Sequence, residues 1–207
     1  MIERNIICWR SLNVIALLLF LSNLHAQGGL SPSPELLDFN LGRIDHQRTA
    51  MLVLGGWAVS NIAGGAYLSN QRSGSNKYFH RMNAYWNIVN LGIAGLGYLS
   101  VAREQPEAYD LFQSAGKHYG FQNILLFNAG LDVGYIMGGL YLTERARRFT
   151  PDDPEKSDQL KGFGQAIMLQ GGFLFAFDLV NYFIGSGRNE GLNLLMNGDG
   201  LGLGLVF

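Results

Sequence analysis

Four apolar stretches, each rich in glycine and interrupted by Asn or Asp near its middle, follow one another along this chain. They cover about Met51–Leu68, Ala84–Val101, Phe121–Leu142 and Gly164–Ile184. Each is close to the length of about 20 residues that crosses the hydrocarbon of a bilayer as a helix. The pattern predicts an all-α protein, a bundle of four transmembrane helices whose polar side chains point inward because lipid solvates them poorly.

The first 26 residues have the pattern of a secretory signal peptide. Arg4 and Arg10 supply positive charge before an apolar run over Leu12–Leu21, and Ala26 supplies the small residue for cleavage. An uncleaved N-terminal anchor is the alternative. The single cysteine, Cys8, lies in this segment, so the mature chain has no thiol or disulfide chemistry.

The remainder of the chain divides into three parts. Residues 27–48 are interpreted as a tether followed by a short interfacial helix, with Ser33 as N-cap and Pro34 at the first helical position. An ordinary connecting helix on the protein surface is the alternative. Residues 49–186 form the predicted four-helix membrane domain, and residues 187–207, rich in Gly and Asn, form a predicted flexible tail.

Lys and Arg are unequally distributed between the two ends of the predicted bundle. The first and third loops with their flanks carry eight, and the opposite side carries five. Cytoplasmic loops usually carry the excess of Lys and Arg, and a cleaved signal followed by four spans leaves both termini outside. Both arguments predict a multi-pass protein of a bacterial inner membrane with periplasmic N- and C-termini.

An outer-membrane β-barrel is a competing interpretation. The signal peptide, the aromatic content and the terminal Phe207 fit such a barrel. Barrel strands, however, alternate apolar and polar residues over about ten positions. Met51–Ala58 and Ile124–Phe127 do not alternate in this way, so the helical prediction is preferred.

Composition narrows the classes of function. Apolar residues make up 48% of the chain and charged residues 15%, with a net charge of −1, whereas about 25% charged residues is usual in soluble proteins. The expected partner is therefore the lipid bilayer and not nucleic acid, which requires a basic surface. No phosphate loop, dinucleotide fingerprint, nucleophile elbow or metal motif is present, so no catalytic residue, cofactor or metal is predicted.

Polar residues near the middle of the predicted helices recur at helical spacing and at similar depths. The predicted buried polar cluster consists of Asn61, Asn87, Asn90, Asn128, Asp132 and Asp178. Interhelical hydrogen bonds of about 0.6 kcal/mol each explain the asparagines. The two aspartates have no Lys or Arg at mid-span to pair with. They are predicted either to be structural or to bind a ligand or proton.

His80 and Asn83 are predicted at the cytoplasmic edge of the second span. A histidine at a membrane boundary most often anchors or caps a helix. No second histidine lies four residues away, so a metal site is not predicted here.

Gly130, Gly134 and Gly138 form a ridge of small residues on the third predicted helix. At about 100° per residue, this glycine ridge lies about 200° around the helix from Asp132. Small residues at this spacing let membrane helices approach closely. If Asp132 faces the bundle, the ridge faces lipid or a second copy of the chain, which makes a homodimer possible. Packing against a neighbouring helix of the same chain is the alternative.

Several short motifs are shared with a known family over about Gln47 to Phe207. They include Leu54-Gly55-Gly56-Trp57-Ala58, Tyr78-Phe79-His80, Met82-Asn83, Trp86-Asn87, Phe127-Asn128-Ala129-Gly130-Leu131-Asp132 and Gln170-Gly171-Gly172-Phe173. In these motifs the chain resembles an uncharacterised family of four-helix membrane proteins found mainly in Bacteroidetes. The resemblance implies a membrane domain of unknown function, so it supports the predicted fold and adds no activity.

Two functional hypotheses follow from these patterns. The first is a non-catalytic membrane module with a structural or partner-binding role. The second is a small transporter or carrier-like protein that uses Asp132 and Asp178 for a proton or a small cation. A membrane enzyme is disfavoured by the missing motifs. A water-filled cavity that reaches the aspartates favours transport, and a dry, fully packed centre favours the module.

Overall fold

The structure is a computed structural model that describes residues 32–149 and 152–198, with side chains described to residue 193. The described residues are almost entirely helical and contain no strand. The predicted all-α class is therefore confirmed for this part of the chain. The predicted signal peptide, residues 1–26, and residues 199–207 lie outside the described residues.

Four long helices and one short helix form the described chain. They are α1 (Pro34–Gln71), α2 (Gly74–Ala102), α3 (Leu111–Ala146), α4 (Pro154–Ser186) and α5 (Asn189–Gly198). Single 3₁₀ turns at Pro106–Ala108 and Arg147–Phe149 lie in the second and third connections.

Three stretches of these helices are long and apolar enough to span a membrane: Pro34–Gln71, Leu111–Phe149 and Pro154–Asn193. They correspond to α1, to α3 with its 3₁₀ turn, and to α4 with the start of α5. The helix α2 falls outside this group because Asn, Tyr and other polar residues lower its hydropathy. The number of four spans therefore stays a prediction.

Side-chain caps mark where three of the long helices begin, and at the start of α4 Asp153 accepts a hydrogen bond at 3.0 Å from the backbone N–H of Lys156. Ser33 accepts a hydrogen bond at 3.2 Å from the backbone N–H of Leu36, with Pro34 in the first turn, as predicted. At the start of α3, Asp110 and Gln113 form a reciprocal capping box. These local signals stop each helix from extending into the preceding connection.

The helix α1 is continuous over 38 residues, which corresponds to a length of about 57 Å at 1.5 Å per residue. The hydrocarbon of a bilayer is only about 30 Å thick. The described part of the segment predicted as a tether and interfacial helix, residues 27–48, thus joins the first apolar stretch without a break. The N-terminal turns of α1, which carry Arg43 and His46, extend beyond that stretch.

Three helix pairs make the bundle: α1 packs against α2, α3 packs against α4, and α2 packs against α4. The backbones of α3 and α4 meet at two glycines. A Cβ atom at Gly139 would lie 2.6 Å from the carbonyl oxygen of Gly164, and one at Gly164 would lie 2.5 Å from that of Gly139. Only glycine allows so close an approach, so these two residues set the distance between α3 and α4.

The helix α5 lies within the segment predicted as a flexible tail. Its Leu192 is fully buried against Leu36 and Phe39 of α1 and Ala115 of α3. This small apolar core holds α5 against one end of the bundle.

The bundle is polar inside and apolar outside. Asn87 and Gln170 are fully buried, whereas Leu96 is 73% exposed and Phe127 is 67% exposed. Water-soluble proteins bury aliphatic side chains and expose amides. The reversed arrangement suits a bundle whose outer surface contacts lipid.

Candidate functional site

Gln170 on α4 connects three helices through its side-chain amide. Trp57 Nε1 of α1 donates to Gln170 Oε1 at 2.9 Å, and Gln170 Nε2 donates to Asn83 Oδ1 of α2 at 2.8 Å. A longer contact of 3.5 Å joins Gln170 Nε2 to Asn61 Oδ1 of α1. The Trp57 ring also stacks on Phe173 with ring centroids 3.8 Å apart. These contacts tie α1 and α2 to α4.

The three asparagines of α2 continue this network along one buried face. Asn87 Nδ2 donates to the backbone oxygen of Asn83 at 2.8 Å, and Asn90 Nδ2 donates to Asn87 Oδ1 at 3.2 Å. Sequence analysis placed Asn83 with His80 at the membrane edge. In the structure Asn83 is buried, with 3% of its surface exposed, and His80 is half-buried. We call Trp57, Asn61, Gln170 and these three asparagines the amide network.

Asp132 of α3 and Asp178 of α4 form a second group, the carboxyl pair. They are 2% and 5% exposed, and their carboxyl groups lie within reach of a hydrogen bond to each other. A carboxylate has no donor, so such a bond requires a proton on one of the two groups. No N–H or O–H donor of another described residue reaches the buried Oδ2 atom of Asp132. With one proton between them, the two groups carry one negative charge.

Helix geometry separates the carboxyl pair from the amide network. Gln170 and Asp178 are eight residues apart on α4, which rotates the side chain by about 80° and moves it about 12 Å along the axis. Gln170 therefore contacts α1 and α2, and Asp178 contacts Asp132 on α3. Of the predicted cluster, Asn61 and Asn87 lie in the amide network, Asn128 lies with the carboxyl pair beside one cavity, and Asn90 both bonds to Asn87 and lines that cavity.

A cavity of about 240 Å³ lies beside the carboxyl pair and is lined by residues of all four long helices. Its polar lining consists of Asn90, Asn128, Asp132 and Asp178. The rest of the lining is aliphatic and aromatic, and Trp86 and Tyr135 meet there edge to face at 4.8 Å. The helices α2 and α3 are not among the closely packed pairs, which leaves this space between them.

The glycine ridge faces away from the bundle. Gly130, Gly134 and Gly138 are exposed, and no atom lies within 4 Å of the position that a Cβ would take at any of them. The ridge therefore does not pack against another described helix of this chain. The glycines that do so on α3 and α4 include Gly139 and Gly164.

An ion-pair group that the sequence analysis did not identify lies where α1 begins and α2 ends. Arg43 is 2% exposed, and its Nη2 donates to Glu104 Oε2 at 2.8 Å, while Lys117 Nζ donates to Glu104 Oε1 at 3.0 Å. Burial raises the pKa of Glu104, but the hydrogen bonds and charges of Arg43 and Lys117 outweigh burial and lower this pKa. The group joins α1 to the connection between α2 and α3.

Two histidines beyond the apolar stretches were also missed. His46 Nε2 lies 3.0 Å from Asn181 Oδ1, and His46 Nδ1 lies 3.2 Å from Arg188 Nη1. His118 Nε2 lies 2.8 Å from Asn189 Oδ1 at the start of α5. Burial lowers the pKa of both histidines, although their hydrogen bonds to the asparagines raise it. These contacts connect the junction of α4 and α5 to α1 and α3.

A sequence model for a family of unknown function, DUF6992, matches residues 53–179. This match covers more than half of the 207 residues, so the chain belongs to this family. This match confirms the predicted resemblance to a family without a known activity. The matched region contains the amide network and both aspartates. No curated protein and no solved structure shows significant similarity to the chain.

Proposed function

We propose that this member of the family is an integral protein of a bacterial inner membrane that binds a proton or a small cation at the carboxyl pair, as carriers do. The observation that carries the proposal is the cavity beside Asp132 and Asp178. Sequence analysis favoured a structural or partner-binding module, for which a packed centre is expected. The cavity supports the carrier over the module, and the accessibility experiment below tests whether it holds water.

The chemistry of the pair supports this role. A buried negative charge in an apolar bundle is costly unless an opposite charge lies beside it. No Lys, Arg or His lines the cavity. A proton or a cation that enters the cavity supplies the missing positive charge. Because both bind to the same two carboxyl groups, a bound cation displaces the proton and a proton displaces the cation. Such an exchange is the elementary step of a cation carrier.

Cysteine accessibility tests whether the cavity admits water and cations. The only native cysteine is Cys8, so Cys8→Ser gives a thiol-free background. Asn128→Cys lines the cavity, and Phe127→Cys, at nearly the same depth on α3, is 67% exposed on the outer surface. In intact membranes we expect a hydrophilic cationic thiol reagent to label the Asn128→Cys variant much faster than the Phe127→Cys variant.

The same thiol-free background tests whether the negative charge of the carboxyl pair attracts cations. Adding both Asp132→Asn and Asp178→Asn to Asn128→Cys removes the two carboxyl groups, which should slow labelling by the cationic reagent and leave labelling by a neutral reagent of similar size unchanged. Equal labelling of the Asn128→Cys and Phe127→Cys variants, or no labelling of either, contradicts the proposal.

The proposed topology has four spans and periplasmic termini, and it is supported by the Lys and Arg distribution and the apolar outer surface. Reporter fusions at Ser73 and Lys156 should be active on the cytoplasmic side, and a fusion at Glu107 on the periplasmic side. Loss of this alternation, or its reversal, rejects the topology.

A partner-binding module is the second candidate, and the outward glycine ridge favours it. A second copy of the chain is the partner we propose, because like surfaces meet in the commonest symmetric dimers. Gly134→Ile should abolish cross-linked dimers in membranes without unfolding the monomer, since no atom of the chain lies within 4 Å of that site. Gly172→Ile, at an equally open glycine of α4, is the matched control. A monomeric wild type or an unchanged dimer yield excludes this candidate.

A further inference from the structure

We propose that the cavity binds a small lipophilic amine in its protonated form. The ammonium group contacts the carboxyl pair, and the apolar body lies among the aliphatic and aromatic side chains. This inference rests on the proposed cation-binding function and specifies the class of cation.

The first argument is the unpaired acceptor. Asp132 is 2% exposed and lines the cavity, and its Oδ2 atom has no hydrogen-bond partner among the described residues. A buried acceptor without a donor costs about 1–3 kcal/mol. An ammonium group has three N–H donors and no acceptor. It therefore supplies both the missing donor and the missing positive charge.

The second argument distinguishes an amine from a metal ion. Calcium takes six to eight oxygen ligands and magnesium requires an octahedral shell. Beyond the two carboxyl groups, the cavity offers the side-chain oxygens of Asn90, Asn128 and Tyr135, all of them neutral. The described residues contain no group of three or more His, Cys, Asp or Glu that could hold a metal ion. Two carboxyl groups with one proton between them match the single charge of an ammonium group better than the double charge of calcium or magnesium.

The third argument is the apolar lining. Trp86 and Tyr135 both border the cavity, and aromatic faces attract organic ammonium groups. Leu174, Phe177 and the other aliphatic and aromatic residues of the lining offer contact to a hydrocarbon body. A hydrated inorganic ion gains nothing from these surfaces. In an amine with an apolar body, the hydrocarbon part is buried against these side chains and the ammonium group pairs with the carboxyl groups.

The size of the cavity sets an upper limit on the ligand. Its volume of about 240 Å³ lies just below the range of about 300–1,000 Å³ that is usual for sites of drug-sized molecules. The ligand is therefore small, of the size of one ring with a short amine chain. Phenethylamine, which is protonated at neutral pH, is a suitable probe.

Thermal unfolding of the purified full chain in detergent at pH 7 measures binding of this probe. Phenethylamine at a concentration well above its dissociation constant should raise the Tm of the wild type by about 5 °C. The matched neutral compound 2-phenylethanol has the same ring and chain and should leave the Tm within about 1 °C, because it lacks the charge. Sodium and potassium chloride at equal ionic strength serve as inorganic cations.

Two variants link the shift to the site, and a third is the control. The double variant Asp132→Asn/Asp178→Asn removes both carboxyl groups, and with them the negative charge, while keeping polar groups of the same size, and it should abolish the shift. Leu174→Trp keeps both carboxyl groups but fills the cavity, and it should abolish the shift as well. Gln165→Met lies on α4 outside the cavity lining and should retain the full shift, which controls for effects of the amine on the micelle.

Distinct outcomes reject the inference and the proposed function separately. A shift with sodium or potassium but not with phenethylamine overturns the amine and leaves cation binding intact. An equal shift with 2-phenylethanol, or a shift retained in the double variant Asp132→Asn/Asp178→Asn, shows that charge is not recognised and overturns the inference. No shift with any cation, together with no labelling of the Asn128→Cys variant, rejects both.

Discussion

Replacing Gln170 by methionine tests whether the amide network holds the bundle together. Methionine has nearly the same length and volume as glutamine, so Gln170→Met removes hydrogen bonds without leaving a cavity. Three contacts are lost, one from the Trp57 indole at 2.9 Å and two to Asn83 and Asn61 at 2.8 and 3.5 Å. The expected result is a marked loss of stability with an unchanged fold.

The magnitude follows from the number of contacts and from the groups left behind. Interhelical hydrogen bonds in membranes average about 0.6 kcal/mol each, so three contacts account for about 2 kcal/mol. Trp57 Nε1 is left without its acceptor; because the Trp57 side chain is half-buried, this adds about 1 kcal/mol, the lower end of the range for an unpaired donor. We therefore expect the free energy of unfolding to fall by about 3 kcal/mol.

Reversible unfolding in mixed micelles, followed by the helical circular dichroism signal, measures this change. Gln165→Met is the matched control, because Gln165 is a half-buried glutamine on the same helix that does not belong to the network; its effect should stay below about 0.5 kcal/mol. A double-mutant cycle with Trp57→Phe should give a coupling energy of at least about 0.6 kcal/mol. Equal stability of the two glutamine variants refutes the reasoning.

Two further predictions concern titratable groups. Asp132→Asn should unfold in detergent at nearly the wild-type denaturant concentration, because an amide can still hydrogen-bond to Asp178. Asp132→Leu should lower the free energy of unfolding by about 1–3 kcal/mol, because it leaves the Asp178 carboxyl without a partner. Burial lowers the pKa values of His46 and His118 in the folded chain. The unfolded chain therefore binds more protons in acid, so the stabilisation should be fully present above pH 6.5 and should decrease as the pH falls below that value. Unfolding between pH 5 and 8 measures this slope, and His46→Gln should reduce it; a stability that does not change over this range contradicts the assignment.

The protonation state of His46 explains the direction of that slope. Its Nδ1 accepts from the Arg188 guanidinium at 3.2 Å, and its Nε2 donates to Asn181 at 3.0 Å. Protonation of Nδ1 removes the acceptor and places a second positive charge beside Arg188. Acid therefore weakens the contact between α1 and the junction of α4 and α5.

Periodicity along the chain predicted the helices and several of their buried faces. Asn83, Asn87 and Asn90 recur at spacings of four and three residues, and all three are buried on one face of α2. The opposite positions of Asp132 and the glycine ridge on α3 follow from the same rule of about 100° per residue. Such inferences depend only on one helix, and for that reason sequence alone can support them.

These sequence patterns could not predict which helices pack against each other. Gln170 and Asp178 lie eight residues apart on α4, and the rotation of about 80° between them is enough to direct them to different helices. Which helix occupies each direction depends on the packing of α2 against α4. Local spacing carries no information on that contact, so the role of Gln170 in joining three helices could not be predicted.

The polar groups at the end of the bundle were missed for a different reason. His46 and Arg188 are separated by 142 residues, and Arg43 and Glu104 by 61. Each residue lies just outside an apolar stretch, where a charged side chain is ordinarily assigned to the aqueous loop. Continuation of α1 beyond the apolar stretch brings these residues together, and no local signal distinguishes a continuous helix from a helix with a break.

The amide network and the carboxyl pair differ in whether hydrogen bonds within the bundle satisfy their polar atoms. Within the amide network, the described donors reach acceptors and the bonds join helices, so hydrogen bonding alone accounts for the network. The carboxyl pair leaves an acceptor unpaired beside a cavity. Replacing a buried charged pair by apolar residues is often neutral or stabilising, because buried charged groups can gain less from pairing than they lose in solvation. Stability therefore explains the amides better than it explains Asp132 and Asp178, which is the reason for our proposal that these two residues bind a cation.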